Sequence, residues 1–428
     1  MNKLHKFCTR YLDNINLIQI NKFIKENNFL VGISLSLLFI VGLGFWLGFY
    51  FFKPGSPTNP ASITSRLLAW DGVYYLQIAH FGYQWHGVTK SPDFAFFPLY
   101  PLVEIFANSI MKIARGSWNP LVMVFPSIIF GIASIWVFFA LAKQFLSEQS
   151  AQFATAAYAL YPGAQFFFAG YPTSLINLLT LLSLLALFKN RIWLAAILAG
   201  LATAAGPLGA LLLIPIAIKH LKKYYITSNH NQTMISIAKE ALSLAFLSLI
   251  STFGLILFIL YQWIIINNPF AFLQVQANWG TKPFAVRVYN FFHLYPIVGG
   301  KHFGFFPSLF FKYSHHLPQW NVERSFNSII FVIMIGLILL LATQANKQKR
   351  LLYLMLFSIA CILTYAWTIG TIEGPVSAIR LLYIVVPAFL GAGFLYEKNK
   401  FISYGLLLVF ASILMVQAAF FVSGYWVV

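Results

Sequence analysis

Uncharged apolar runs of about 20 residues recur along this chain, and in hydrocarbon such runs have one solution, the α-helix. Phe29 to Phe52 is the first of them, and the rest follow with short basic gaps between them. The runs are uniformly apolar and do not alternate, which excludes a membrane β-barrel. With 60% hydrophobic and 9% charged residues and a mean hydropathy of +0.77, the composition describes an all-α polytopic membrane protein. Residues 1–428 read as one integral membrane domain.

About 11 transmembrane helices are expected. They fall near residues 29–52, 119–142, 151–168, 173–188, 192–205, 207–218, 241–266, 326–343, 351–369, 380–396 and 402–424. The first run is too long for the core of a cleavable signal and is expected to stay as an anchor. The net charge of +18 would suggest a nucleic-acid partner in a soluble protein. Here most of it sits at Lys143, Lys189, Arg191, Lys219, Lys222, Lys223, Lys239, Lys347, Lys349, Arg350, Lys398 and Lys400, between apolar runs. That is the bias of cytoplasmic loops, so no nucleic acid is implied. Lys3, Lys6, Arg10, Lys22 and Lys25 place the N-terminus in the cytoplasm as well, in a multi-pass protein of a prokaryotic-type plasma membrane.

This topology leaves two long segments outside, 53–118 and 267–325. Residues 94–114 carry Pro98, Pro101 and Glu104 and are read as an interfacial helix, because a crossing there would reverse every later loop. The second segment holds Trp279, Lys282, Arg287 and several histidines, a basic and aromatic mixture suited to an anionic headgroup or a sugar ring. Near Ala205-Gly206-Pro207 a helix is expected to break and to line a site; a plain proline kink is the alternative.

Only ten carboxylates exist, and Asp71, Asp93, Glu104, Glu323 and Glu373 fall outside. Asp71 stands out, flanked by Trp70, Gly72, Tyr74 and Tyr75 just beyond the first span. A partly desolvated carboxylate there suits a general base, whereas an ordinary interfacial helix cap is the alternative. Arg380 opens the tenth run with no acid closer in sequence than Glu373. A membrane-edge arginine is costly and is expected to meet an anion, most simply a phosphate. Cys8 and Cys361 are the only cysteines, histidine spacing fits no zinc set, and no phosphate-cradling loop or serine elbow is present, so neither metal nor soluble nucleotide cofactor is expected.

Trp70-Asp71, Ile78-Ala79-His80-Phe81-Gly82-Tyr83 and Phe94-Ala95-Phe96-Phe97-Pro98-Leu99-Tyr100-Pro101 resemble the first outer loop of the PIG-V family, within the GT-C glycosyltransferases. Tyr161-Pro162, Tyr171 to Leu175, the stretch from Gly200, Trp279-Gly280 and Arg380 with Pro387 agree more loosely. The resemblance implies a GT-C fold and a mannosyltransferase acting on a lipid or glycan acceptor, with a polyprenyl-phosphate sugar as donor and inversion at the sugar carbon. Asp71 is then the catalytic residue; Trp70, Tyr171, Trp279, Lys282, Arg287 and Arg380 are candidates for substrate contact. The family often has Tyr-Ser-Glu where this chain has Tyr171-Pro-Thr-Ser, and Thr-Arg-Pro at Ala205-Gly206-Pro207. These departures leave open the sugar, the acceptor and an inactive relative; a transporter or flippase is the reading from a different class.

Overall fold

A computed structural model describes residues 27–52, 63–115, 120–227, 234–279, 284–292, 318–369, 377–425 and 427, and every regular element among them is helical. The first half contains α1 (Asn28–Phe51), α2 (Ile63–Leu67), α3 (Asp71–Phe81), α4 (Leu99–Arg115), α5 (Val124–Ala142), α6 (Glu148–Ala159), α7 (Thr173–Phe188) and α8 (Ile192–Ala205). Then come α9 (Leu213–Thr227), α10 (Met234–Ser251), α11 (Phe253–Ile266), α12 (Ala271–Gln274) and α13 (Phe284–Phe292). The chain closes with α14 (Pro318–Ala345), α15 (Leu351–Ile369), α16 (Ala378–Leu381), α17 (Ala388–Lys398) and α18 (Lys400–Val422).

Among the described residues, five helices are long and apolar enough to cross a membrane: α1, α5, α10, the Ser325–Ala345 part of α14, and α18. The number rises to 8 if each of three bent pairs counts as one span, against the eleven expected. Bends inside apolar runs account for three of these, and the apolar helices Ile192–Ala205 and Leu351–Trp367 are too short to be counted. Pro162–Phe168 and α7 meet at 109°, α11 and the segment Ala271–Trp279 at 95°, and Ala378–Ile384 and α17 at 91°. Each bend contains a proline, Pro172, Pro269 or Pro387, which lacks the N–H that would continue the preceding helix. Residues 241–266, read as one span, are divided at Thr252 between α10 and α11.

The break after Ala205 is real. Gly206 is extended, Pro207–Leu212 forms a 3₁₀ turn, and a side chain at Gly206 would overlap Ile176 of α7. Helix α4 lies as an amphipathic helix with inverted polarity. Its Glu104 and Asn108 are buried, while Leu102, Phe106 and Ile110 are exposed, an outer face suited to lipid.

Helix α7 is buried along most of its length and acts as the axis of the fold. Beyond its C-terminal end, Lys219 donates to the Leu187 carbonyl and lies 5.7 Å from the Phe188 ring centroid. Arg350 is 5.5 and 5.7 Å from the centroids of Phe145 and Phe188. The basic loops thus gather at one end of α7, roughly 24 Å by helix geometry from the other. Asp71 belongs to the opposite end, beside Tyr171.

Helices α1 and α18 pack closely. A Cβ on Gly44 or Gly48 would overlap the carbonyls of Met415 and Ala419, and Ser423 Oγ donates to the Gly48 carbonyl at 2.8 Å. Small residues four apart allow this approach in a membrane, where dispersion is a principal driving term. Gly48→Leu is expected to force the helices apart and destabilise the protein by about 1–3 kcal/mol, read as a lower melting temperature in detergent; an unchanged melting curve would contradict the contact.

Candidate active site

The turn into α3 is strained. Trp70 has φ 60 and ψ −125, a combination that a bulky residue adopts only when its surroundings impose it. The surroundings are segment 169–171. The Gly170 N–H donates to the Leu67 carbonyl at 3.0 Å, and the Tyr171 hydroxyl donates to the Ala69 carbonyl at 3.0 Å. A side chain on Gly170 would strike Leu68. Tyr171 is itself fixed from below, since Ser127 Oγ of α5 donates to its carbonyl at 3.1 Å. Asp71 therefore enters the first turn of α3 from a backbone held on two sides, with its carboxylate near the positive helix end.

Arg380 reaches this carboxylate from 309 residues away: its Nη1 donates to Asp71 Oδ2. The side chains are 20% and 18% exposed, so the pair is shielded yet open on one side. The guanidinium carbon lies 5.8 Å from the Tyr171 ring centroid, and Nε is buried without a hydrogen-bond partner. Sequence reasoning assigned the acid and the arginine separate tasks; the fold joins them.

Trp70 and Tyr171 fall at this site, Tyr171 buried and Trp70 partly exposed. Trp279 completes an aromatic group beside α3. Tyr74 stacks on Phe96 at 4.9 Å between centroids, and Trp279 meets both edge-on at 6.1 and 5.8 Å while remaining 44% exposed. Phe96 is held because its carbonyl accepts the Tyr83 hydroxyl at 2.6 Å. Arg287 instead lies 6.0 Å from the Trp367 ring centroid on α15. Lys282, Glu373, residues 293–317 and the N-terminal arm lie outside the described residues. Sequence reasoning noted Tyr74 and Phe96 only as a neighbour of Asp71 and as part of a motif, not as candidates for substrate contact, and did not note Asn327 at all.

Asp93 accepts the Gln84 N–H at 2.7 Å and shapes loop 82–96; burial pushes its pKa up, against these backbone donors. Glu104 is fully buried, and both its carboxyl oxygens are without a hydrogen-bond partner. The Tyr100 hydroxyl, whose hydrogen bond would favour ionisation, is committed within 2.6 Å of Ser127 Oγ and 3.1 Å of the Met123 carbonyl. Burial holds Glu104 well above the usual carboxylate range. The unfolded chain then ionises first, so stability falls as pH rises above the unfolded pKa. Glu104→Gln is expected to remove that slope and to melt higher than the unsubstituted protein at pH 8 but not at pH 4; equal pH dependence of the two proteins would contradict it. Among the described residues no group of three metal-ligating side chains occurs.

The profile of the mannosyltransferase (PIG-V) family matches residues 59–299, and the chain belongs to that family. The matched stretch contains Asp71, Tyr171 and Trp279. Human GPI alpha-1,6-mannosyltransferase 2 is 28% identical over 144 residues, 31% of this chain and 27% of the human protein. Among solved structures, the archaeal oligosaccharyltransferase AglB from Archaeoglobus fulgidus, in complex with an inhibitory peptide and a dolichol-phosphate, is 14% identical with a TM-score of 0.47, covering 94% of this chain and 56% of that one. An Archaeoglobus fulgidus oligosaccharyltransferase in the apo form is 13% identical with a TM-score of 0.46, covering 92% and 56%. The chain thus spans little more than half the length of these structures and aligns with about a quarter of the human relative.

Proposed function

We propose that this chain is a membrane glycosyltransferase that moves a hexose, mannose in the first instance, from a polyprenyl-phosphate donor to a hydroxyl of a lipid or glycan acceptor. The observation that carries the reading is the shielded Asp71–Arg380 pair, whose acid lies in the segment matched by the PIG-V family. Asp71 takes the proton of the acceptor hydroxyl while that oxygen bonds to the anomeric carbon. The bond from that carbon to the phosphate oxygen breaks on the opposite face, its electron pair leaves with the polyprenyl phosphate, and the sugar is inverted.

The leaving phosphate gains a negative charge as the bond breaks, so a fixed cation beside it favours the transition state over the ground state. Arg380 supplies that cation. While it holds Asp71 the carboxylate is occupied by the ion pair, and a phosphate seated at the unpartnered Nε side draws the guanidinium away and frees the carboxylate. Lys282 and Arg287 are secondary candidates for the same anion, and Trp279 with Tyr74 offers faces for a sugar ring. In this scheme guanidinium and ammonium groups provide the countercharge without a metal. The site faces the extracytoplasmic side, because the opposite end of α7 carries the basic loops.

The test is direct. Purified protein in lipid is incubated with polyprenyl-phosphate mannose or glucose, and polyprenyl phosphate is measured. Release with transfer to an acceptor supports the enzyme; movement of the lipid across the bilayer with the sugar still attached would make the chain a transporter instead.

A further inference from the structure

We infer that Asn327 is a positioning residue for Arg380, a deduction that rests on the phosphate role proposed for that arginine. Arg380 is carried by α16, a helix of four residues. A helix so short does not hold itself in water or lipid, since a single turn yields few hydrogen bonds for the backbone it fixes. Its direction must come from whatever grips its first turn, where the N–H groups have no partner within the helix.

The grip comes from α14. The Ile379 N–H, one residue before Arg380, donates to Asn327 Oδ1 at 2.9 Å. The amide nitrogen of Asn327 donates in turn to the Glu323 carboxylate and, at 3.1 Å, to the Glu323 carbonyl. An amide has one acceptor end and one donor end, so the Glu323 carboxylate fixes which end faces Ile379. Glu323, Asn327 and Ile379 are all buried. Ser377, directly before α16, sits at φ 54 in the left-handed region, so the approach to the helix is bent and depends on an external hold. The Tyr161 hydroxyl adds a long bond of 3.4 Å to the Ala378 carbonyl. Asn327 thus acts through the arginine and touches no substrate in this arrangement.

A buried asparagine that only stabilises the bundle would lower the yield of folded enzyme without changing donor affinity. A positioning residue predicts something narrower. Asn327→Ala is expected to raise the donor KM about tenfold, the equivalent of one hydrogen bond worth roughly 1.4 kcal/mol, with kcat within about twofold. In an Arg380→Ala background the same change is expected to add no further rise, because the group being positioned is gone. Rises that multiply in the double variant, or an unchanged donor KM in Asn327→Ala, overturn the inference. If Asn327→Ala does not fold, the exchanged pair Glu323→Gln with Asn327→Asp decides. It keeps an oxygen acceptor for the Ile379 N–H and the same net charge, and a donor KM within about twofold of the unsubstituted protein is expected; a tenfold rise in this variant overturns it. An unaltered donor KM in Arg380→Ala alone identifies a different failure, that of the phosphate assignment itself.

Discussion

Asp71→Asn is expected to lower the rate of sugar transfer by about 10²–10⁴-fold, the usual contribution of a positioned general base. The amide is the same size and keeps an oxygen for Arg380 Nη1, so the strained turn at Trp70 and the packing of 67–72 on 169–171 are expected to persist. Because the substitution also loosens the hold of the carboxylate on the guanidinium, donor binding is expected to stay or to tighten. The measurement is single-turnover transfer at saturating polyprenyl-phosphate sugar, paired with a donor-binding isotherm on the same preparation. Turnover within a few-fold of the unsubstituted protein would remove Asp71 from the role of base.

Arg380→Ala is expected to act on the other side of the reaction. A charge-assisted hydrogen bond contributes about 1.5–3 kcal/mol, so the donor KM should rise roughly 10–100-fold. In the proposed scheme a bound donor already releases Asp71 from the guanidinium, so the base is unaltered at saturation and any loss of kcat reports the countercharge withdrawn from the leaving phosphate. Arg380→Lys separates charge from geometry: an ammonium keeps the point charge and loses the planar fork over Tyr171, so an intermediate KM is expected. Initial rates across a donor titration check both variants. No change in donor affinity for Arg380→Ala would place the phosphate elsewhere, with Lys282 and Arg287 the next candidates.

The residues proposed for this site were marked one by one in the sequence. Asp71 was marked by scarcity, by its place after the first span and by its aromatic neighbours; Arg380 was marked by the expense of a cation at a membrane edge. Trp279 stood out in a basic, aromatic loop, and the structure sets it against Tyr74 and Phe96. Asn327 passed unnoticed as one polar residue at the start of an apolar run. Its spacing of four from Glu323 puts both on one helical face, yet nothing local shows that the Ile379 N–H, 52 residues on, completes the set. The span count is hard to read from sequence for a related reason. An apolar run announces burial or lipid, but whether a helix crosses straight or turns by 91–109° depends on what receives it after the proline.

By itself the sequence determined that the chain is helical and that its basic residues cluster in the gaps between apolar runs, and it drew attention to one acid and one arginine. Those conclusions follow from composition and short-range periodicity, because a helix satisfies its backbone within a few residues in any apolar solvent. Only the tertiary structure decided that Asp71 and Arg380 meet, that Tyr171 lies beneath the guanidinium, and that α14 holds the turn from which the arginine extends. Such meetings are settled by the packing of whole helices against α7, where shape and hydrogen-bond satisfaction are shared among segments hundreds of residues apart and leave no mark on any one of them.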